Sequence, residues 1–305
     1  MFKRIPNYQH ISQIFEELKS DIKKRTEKPE FSFGLYSLDE ATRGMRRGRV
    51  HIIAARPGEG KTSLALQTAW NLADAGKVIV YVSLEDDKKR LTERMFCNMQ
   101  KINNTDLARG AWTDETEKKS EAMASMFKNI TFLVMDGFGY NWPEFENVLD
   151  SIKPQADVAF LDYINMIELS GSQNKRDTVS EFVRNCKAFA LKKNMALVIL
   201  AQINRSGADD SRPGLHHLKD SGTLEEVADL VLINHFPIRY NNKTFKGEFA
   251  GPEYFEIMVA KIKDYGHPKV VPVRFAGRYY RFDDVEQPLF KFQPKPESFG
   301  AEVYQ

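Results

Sequence analysis

The chain has 305 residues, enough for one large core or two smaller ones, with 42% hydrophobic and 28% charged residues. A net charge of +2 excludes a global basic field, so any polyanion must be met by a local patch. There is no run of about 18 apolar residues and no apolar core segment after Met1-Phe2-Lys3-Arg4, so the expectation is a cytoplasmic protein without a membrane span.

Residues 8 to 25 carry Ile11, Ile14, Phe15, Leu18 and Ile22 at helical spacing, opposite Glu16, Glu17, Lys19, Lys23 and Lys24. Such a stripe needs a partner, either the chain's own core or a neighbouring subunit. The stretch KKRTEKPE (23–30) is charged and contains a proline, so it reads as an exposed linker. A first core strand is expected over 49–55. It runs into Ala55-Arg56-Pro57-Gly58-Glu59-Gly60-Lys61-Thr62, which has the P-loop spacing with alanine in the first position. Gly58 and Gly60 allow a tight turn that aims N–H groups and the following helix N-terminus at a β-phosphate. Lys61 reaches for the β and γ oxygens, and Thr62 can hold Mg²⁺ through its hydroxyl. With Ser63 these residues form the expected nucleotide site. The competing reading, an ordinary strand-to-helix turn, is disfavoured by the apolar strand before it and the helical pattern Leu64, Ala65, Ala69 after it.

A second strand, KVIVYVSL (77–84), is apolar throughout, as a covered parallel strand is, and ends at Glu85. A carboxylate there can polarise a water for attack on a γ-phosphate, or simply cap the next helix. A helix is expected over 86–101, then a polar stretch of irregular or helical character over 103–125, a strand over 130–135 and a helix over 142–152. Cys97 and Cys186 fall in predicted helices without metal-ligand spacing and fit buried thiols of a reducing compartment. The strand VAFLD (158–162) ends in Asp162, as a Walker B element does, where a carboxylate can hold Mg²⁺ through water beside Thr62.

SGSQNKRD (170–177) reads as a loop before a helix with Phe182, Cys186 and Phe189. A fifth strand over 196–201 leads to Gln202, a polar group placed to sense a γ-phosphate. The segment 204–222 has no apolar period. Its Arg205, Arg212 and Lys219 among small residues suit backbone tracking along a nucleic acid, and the absence of aromatics argues against base stacking. His216 and His217 lack further ligands at metal spacing and read as loop histidines. A sixth strand is expected over 225–234, followed by closing antiparallel strands over 254–262, 270–275 and 278–282. Lys261 and Lys263, two apart, leave their strand on the same side. From Gln287 the prolines suggest an extended tail.

The motifs LDEATRGMRRG (38–48), AARPGEGKTS (54–63), VSLE (82–85) with RLTERM (90–95), FLDYINMI (160–167), AQINRS (201–206), LKDSGTLEEVADL (218–230), AKIKD (260–264) and GRYYRFDD (277–284) occur in one order. In that order they resemble the C-terminal ATPase domain of the DnaB-type replicative helicases, within the RecA-like class, over residues 31 to about 285. The resemblance implies an α/β RecA-like P-loop ATPase with a mostly parallel central sheet, helices on both faces, antiparallel strands at the C-terminal side and an N-terminal amphipathic linker helix. The expected organisation is a linker helix and charged linker (1–30), an ATPase domain (31–286) and a tail (287–305).

The resemblance further implies a homo-hexamer joined through the linker helix, with ATP and Mg²⁺ bound between neighbours and 5′ to 3′ movement on single-stranded DNA. Primase or a helicase loader would be additional partners. Glu85 would be the catalytic base, Thr62 and Asp162 the Mg²⁺ partners, and Gln202 the link between nucleotide state and DNA loops. Lys219, Asp220 and Gly222 would contact DNA, and Lys261 and Lys263 the neighbour's γ-phosphate. Lys263 departs from the family, which has arginine there, and an ammonium lacks the planar fork. The chain also begins almost at the linker helix, where the family carries a separate helical domain; a compact phage-type member or a chain shortened at the front would have this form. The alternative function is a RecA- or KaiC-like DNA-binding ATPase that does not separate strands.

Overall fold

Alternation of side chains across buried strands fixes the architecture. The computed structural model describes residues 9–24, 29–136, 141–162, 175–203, 212–218, 221–240, 244, 246, 251–263 and 267–285. In chain order the elements are α1 (Ile11–Lys24), α2 (Tyr36–Thr42), β1 (Val50–Ala55), α3 (Lys61–Asp74), β2 (Ile79–Ser83), α4 (Lys88–Gln100), α5 (Asn104–Ala108), α6 (Asp114–Phe127) and β3 (Phe132–Asp136). There follow α7 (Trp142–Ser151), β4 (Val158–Asp162), α8 (Lys175–Lys193), β5 (Ala196–Gln202), α9 (Ser221–Val227), β6 (Leu230–His235), β7 (Tyr254–Ile262), β8 (Lys269–Ala276) and β9 (Arg281–Asp284).

The nine strands form one sheet in the order β3-β2-β4-β5-β1-β6-β7-β8-β9. The first six in that order are parallel and β7 to β9 are antiparallel. Ile53, Tyr81, Phe160, Val198 and Leu232 face one apolar core with Leu64, Leu91 and Met123 from α3, α4 and α6. Ile52, Val80, Ala159, Leu197 and Val231 face a second core with Phe145, Phe182 and Leu224 from α7, α8 and α9. Both faces being covered, these strands read as unbroken apolar runs. Each fully withdrawn Val, Leu or Ile contributes about 1.5–3 kcal/mol.

Local signals set the helix ends. The Asp87 carboxylate accepts from the Arg90 N–H at 3.0 Å to open α4, and Asn141 with Glu144 forms a capping box that opens α7. α2 has no side-chain cap of its own. Asp284, from the far end of the chain, accepts from the N–H groups of Tyr36 at 2.8 Å and Ser37 at 2.9 Å instead.

Of the two characters expected for the polar stretch over 103–125, the helical one holds for most of it, as α5 and α6. Three expectations change. Residues 225–227 end α9 and do not belong to a strand: Leu224 and Ala228, four apart, are both buried, a helical repeat, and the strand starts only at Leu230. Lys175 to Asp177 open α8 where a loop is expected. The last strand begins at Arg281, because Gly277–Tyr279 form a 3₁₀ turn and Tyr280 is left-handed with φ 53°. Cys97 and Cys186 are buried free thiols, and burial pushes Cys97 up to about 11. The apolar stripe of α1 is exposed, with Ile11 71% and Phe15 55% accessible, so it does not fold back on the core. Among the described residues no helix is long and apolar enough to cross a membrane. The tail from Gln287 lies outside the described residues.

Candidate active site at the P-loop

Four adjacent parallel strands deliver side chains to one edge of the sheet, the carboxyl edge where open α/β sheets hold ligands. β1 ends in the P-loop. Register then aligns the rest: Ala55 pairs with Gln202 at the end of β5, and Ser83 of β2 pairs with Asp162 at the end of β4. Gly58 and Gly60 have φ of 73° and 69°, the left-handed conformation the turn requires. Gly60 also lies under Phe282, whose ring would be 2.8 Å from an added Cβ.

A cleft of about 460 Å³ opens above this edge, lined by Ala55, Arg56, Pro57, Gly58, Gly60, Lys61, Thr62, Ser63, Glu85 and Gln202 of the expected set. The Lys61 ammonium stands between two carboxylates, 3.3 Å from Asp162 and 3.7 Å from Glu85. Asp162 is buried. Its Oδ2 accepts from the Tyr81 hydroxyl at 2.8 Å, while Oδ1 receives no hydrogen bond among the described residues and faces Lys61. Burial and the Asp162 charge together push the Tyr81 phenol well up, so it stays a donor. Glu85 is half-exposed at the cleft mouth. Its turn is fixed by the Ser83 hydroxyl, which donates to the Asp86 carbonyl and accepts the Asp86 N–H. The arrangement can hold a polyphosphate over the loop, neutralise it with Lys61 and present the half-exposed Glu85 carboxylate to a water.

The Glu59 side chain turns beneath the loop, where the Tyr240 hydroxyl donates to it at 2.6 Å and Asn234 donates to its carbonyl at 3.1 Å. Burial raises its carboxyl pKa, and the Tyr240 bond pulls it back only in part. Glu59 therefore shapes the loop from below and does not line the cleft.

Sequence reasoning missed the other wall. Arg94 of α4, Phe275, Gly277 and Tyr280 of the β8–β9 turn, and Arg239 after β6 also line the cleft. Arg94 lies 5.6 Å from the Tyr280 ring centre and pairs with Asp86 at 3.0 Å. Gln67 and Asn98 tie that turn to α3 and α4, donating to the Phe282 and Tyr280 carbonyls at 2.7 Å each. No spacing pattern marks these residues; the RLTERM segment holds Arg94 and GRYYRFDD holds Gly277 and Tyr280, while nothing in the sequence points to Phe275 or Arg239.

Lys261 and Lys263 project together, as expected, but at the opposite edge of the sheet. Their ammonium groups reach the carbonyls of Glu225 and Glu226 at the end of α9, the second at 3.2 Å. Gly222 is exposed in the first turn of α9. Arg205, Lys219 and Asp220 lie outside the described residues. The His216 and His217 rings lie 3.9 Å apart, tilted at 40°, and His217 accepts from the Gly214 N–H.

A model of the DnaB-like helicase C-terminal domain matches residues 31–284, with this topology and this cleft inside the matched span. The chain belongs to the DnaB-like helicase C-terminal domain family. A probable plasmid replicative DNA helicase of Chlamydia psittaci is 30% identical over 223 residues, 70% of this chain and 48% of the relative. The chain thus spans about half the length of that relative. Among solved structures, a DnaB-like replicative helicase aligns with a TM-score of 0.81 at 24% identity, over 91% of this chain and 69% of its own. A second solved structure, an ATPase domain on its own, aligns with a TM-score of 0.82 at 24% identity, over 92% of this chain and all of that domain. The fold is that of the RecA-like ATPase domains of DnaB-like helicases.

Proposed function

We propose that this chain is an ATP-hydrolysing motor that moves on single-stranded DNA and separates strands at a replication fork, working as a ring of six copies. The observation that carries this reading is Lys61 held between Asp162 and Glu85 at the mouth of a P-loop cleft. In the proposed reaction the P-loop N–H groups and Lys61 bind the β and γ phosphates. Glu85 accepts the proton of the attacking water, and Gln202 hydrogen-bonds at the γ position. Thr62 and Asp162 fit a magnesium ion, since the buried Oδ1 of Asp162 is the kind of oxygen that orders its water shell. When bound, that ion would neutralise charge on the phosphates. The aromatic and guanidinium wall of Tyr280 and Arg94 suits a stacked base.

Movement would follow from the neighbour's contribution. The exposed stripe of α1 suits docking on an adjacent subunit, and the Lys261–Lys263 pair, remote from its own P-loop, suits the cleft of a neighbour. α9 then connects those lysines to the segment with Lys219, Asp220 and Gly222, which we assign to the DNA backbone along with Arg205. The 5′ to 3′ direction follows family resemblance. Primase is a further proposed partner, since the DnaB-like helicase matched above was studied with its primase interactions. A strand-separation assay on forked DNA with tails of either polarity tests the whole reading. Glu85→Gln should bind ATP with affinity within about threefold of the parent yet lose hydrolysis and unwinding. Full turnover in that variant would remove Glu85 from the mechanism. ATP hydrolysis by the parent without displacement of either fork would favour the RecA- or KaiC-like alternative.

A further inference from the structure

We propose that Arg239 grips the terminal phosphate of the nucleotide from within the same subunit. The proposal rests on the reading of the cleft as an ATP site and adds a residue that no motif marks. Arg239 lies in the 3₁₀ turn Pro237–Arg239 that follows β6, and its side chain lines the cleft together with Pro57, Gly58 and Lys61. It lies along the P-loop itself. Nη1 donates weakly to the Pro57 carbonyl at 3.4 Å and would be only 2.9 Å from a Cβ added to Gly58.

Two features point to an anion. Pro57 has no amide hydrogen, so the loop lacks a donor at that position, and the Arg239 guanidinium carries five N–H donors beside the gap. Two other cations of the cleft have acidic partners: Arg94 pairs with Asp86, and Lys61 lies between Glu85 and Asp162. No carboxylate of the described residues is within ion-pairing distance of Arg239. Glu59, the acid of the loop, feels the Arg239 charge but takes its hydrogen bond from the Tyr240 hydroxyl below it. The guanidinium rests over the Phe236 ring, 5.5 Å from its centre, a contact that sets its direction and leaves its N–H donors available to an anion. A γ-phosphate above Pro57 and Gly58 completes this site; ADP, which lacks that group, does not.

The test compares the Kd of a β,γ-imido ATP analogue with that of ADP, both with Mg²⁺, for the full chain and its Arg239→Ala and Arg239→Lys variants. Arg239 is exposed, so both variants should keep the parent's melting temperature. Arg239→Ala should weaken the analogue about tenfold, the worth of one charge-assisted contact, and ADP less than about twofold, with lysine in between. Equal weakening of both nucleotides would make Arg239 a prop for the loop and overturn the proposal, as would no change in either. A parent chain that binds neither nucleotide overturns the ATP reading, and Arg239's role with it.

Discussion

His235 shows how burial of one polar side chain becomes a property that can be measured. It is fully buried between β6 neighbours and the Tyr240 ring, and neither ring nitrogen has a hydrogen-bond partner among the described residues. Burial first, and then the charges of Arg212 and Arg56, depress its pKa to about 3; burial takes His51 down to about 4. As pH falls below the ordinary value of 6.5, the unfolded chain binds protons that the folded chain refuses. Stability is therefore lost with acidification between about 6.5 and these values, by up to about 1.4 kcal/mol per pH unit for each histidine. His235→Phe keeps the ring and the packing, so urea titrations between about pH 7 and pH 5 should show its slope reduced by close to one proton. An unchanged slope would mean that His235 is charged in the folded state. The same scale explains what could be read ahead. Lys61, Glu85, Asp162 and Gln202 border apolar strands and announce themselves, while Arg239, Arg94 and Tyr280 come from turns and a helix whose proximity only the completed sheet creates.

At the level of elements, the seam between α9 and β6 is where pattern reading failed. The run EEVADLVLIN looks like one apolar strand, yet its first half keeps a four-residue repeat, and Asp229 marks the change. The Asp229 carboxylate accepts from the Val50 N–H at 2.9 Å and from Lys187 at 2.5 Å, and it pairs with Arg49 at 3.3 Å and Lys263 at 3.8 Å. Burial acts to raise its pKa, but these donors and cations outweigh burial and hold the carboxyl below its usual range. Lys263 is thus tethered in its own subunit at the edge remote from its own phosphate site. Its partner Lys261 is easier to deprotonate than usual, through burial and then the Lys263 charge. If the pair serves a neighbour, Lys263→Ala rings should lose most hydrolysis, up to about 10³-fold by analogy with trans cations in phosphoryl transfer. Mixing them with Glu85→Gln rings should restore turnover, because some seams then combine an intact base with an intact lysine. Normal turnover in the Lys263→Ala protein alone would end the trans assignment.

On the scale of the whole molecule, the parallel strands and the carboxyl-edge site were legible in apolar runs that lead to Lys61, Glu85, Asp162 and Gln202, whereas the strand order and the division into two cores emerge only from the assembled sheet. The antiparallel edge was legible as strands but not as a wall of the cleft, since the Gln67 and Asn98 bonds that pull it over α3 and α4 join residues far apart in sequence. What the fold leaves unsatisfied is α1. Its five apolar residues stand in solvent, and burying each would contribute about 1.5–3 kcal/mol, enough in sum to hold a subunit interface against the entropy of association. Ile14→Glu with Leu18→Glu places two charges in that stripe while touching nothing in either core. Light scattering with ATP analogue and single-stranded DNA present should show rings for the parent and single subunits for the double variant. The P-loop cleft is intact in both, so nucleotide binding should persist in the variant while hydrolysis falls with the loss of the neighbour's lysines. A double variant that stays monomeric yet turns over ATP at the parent's rate would show that each subunit carries a complete site, and the coupling of hydrolysis to movement would then need another route.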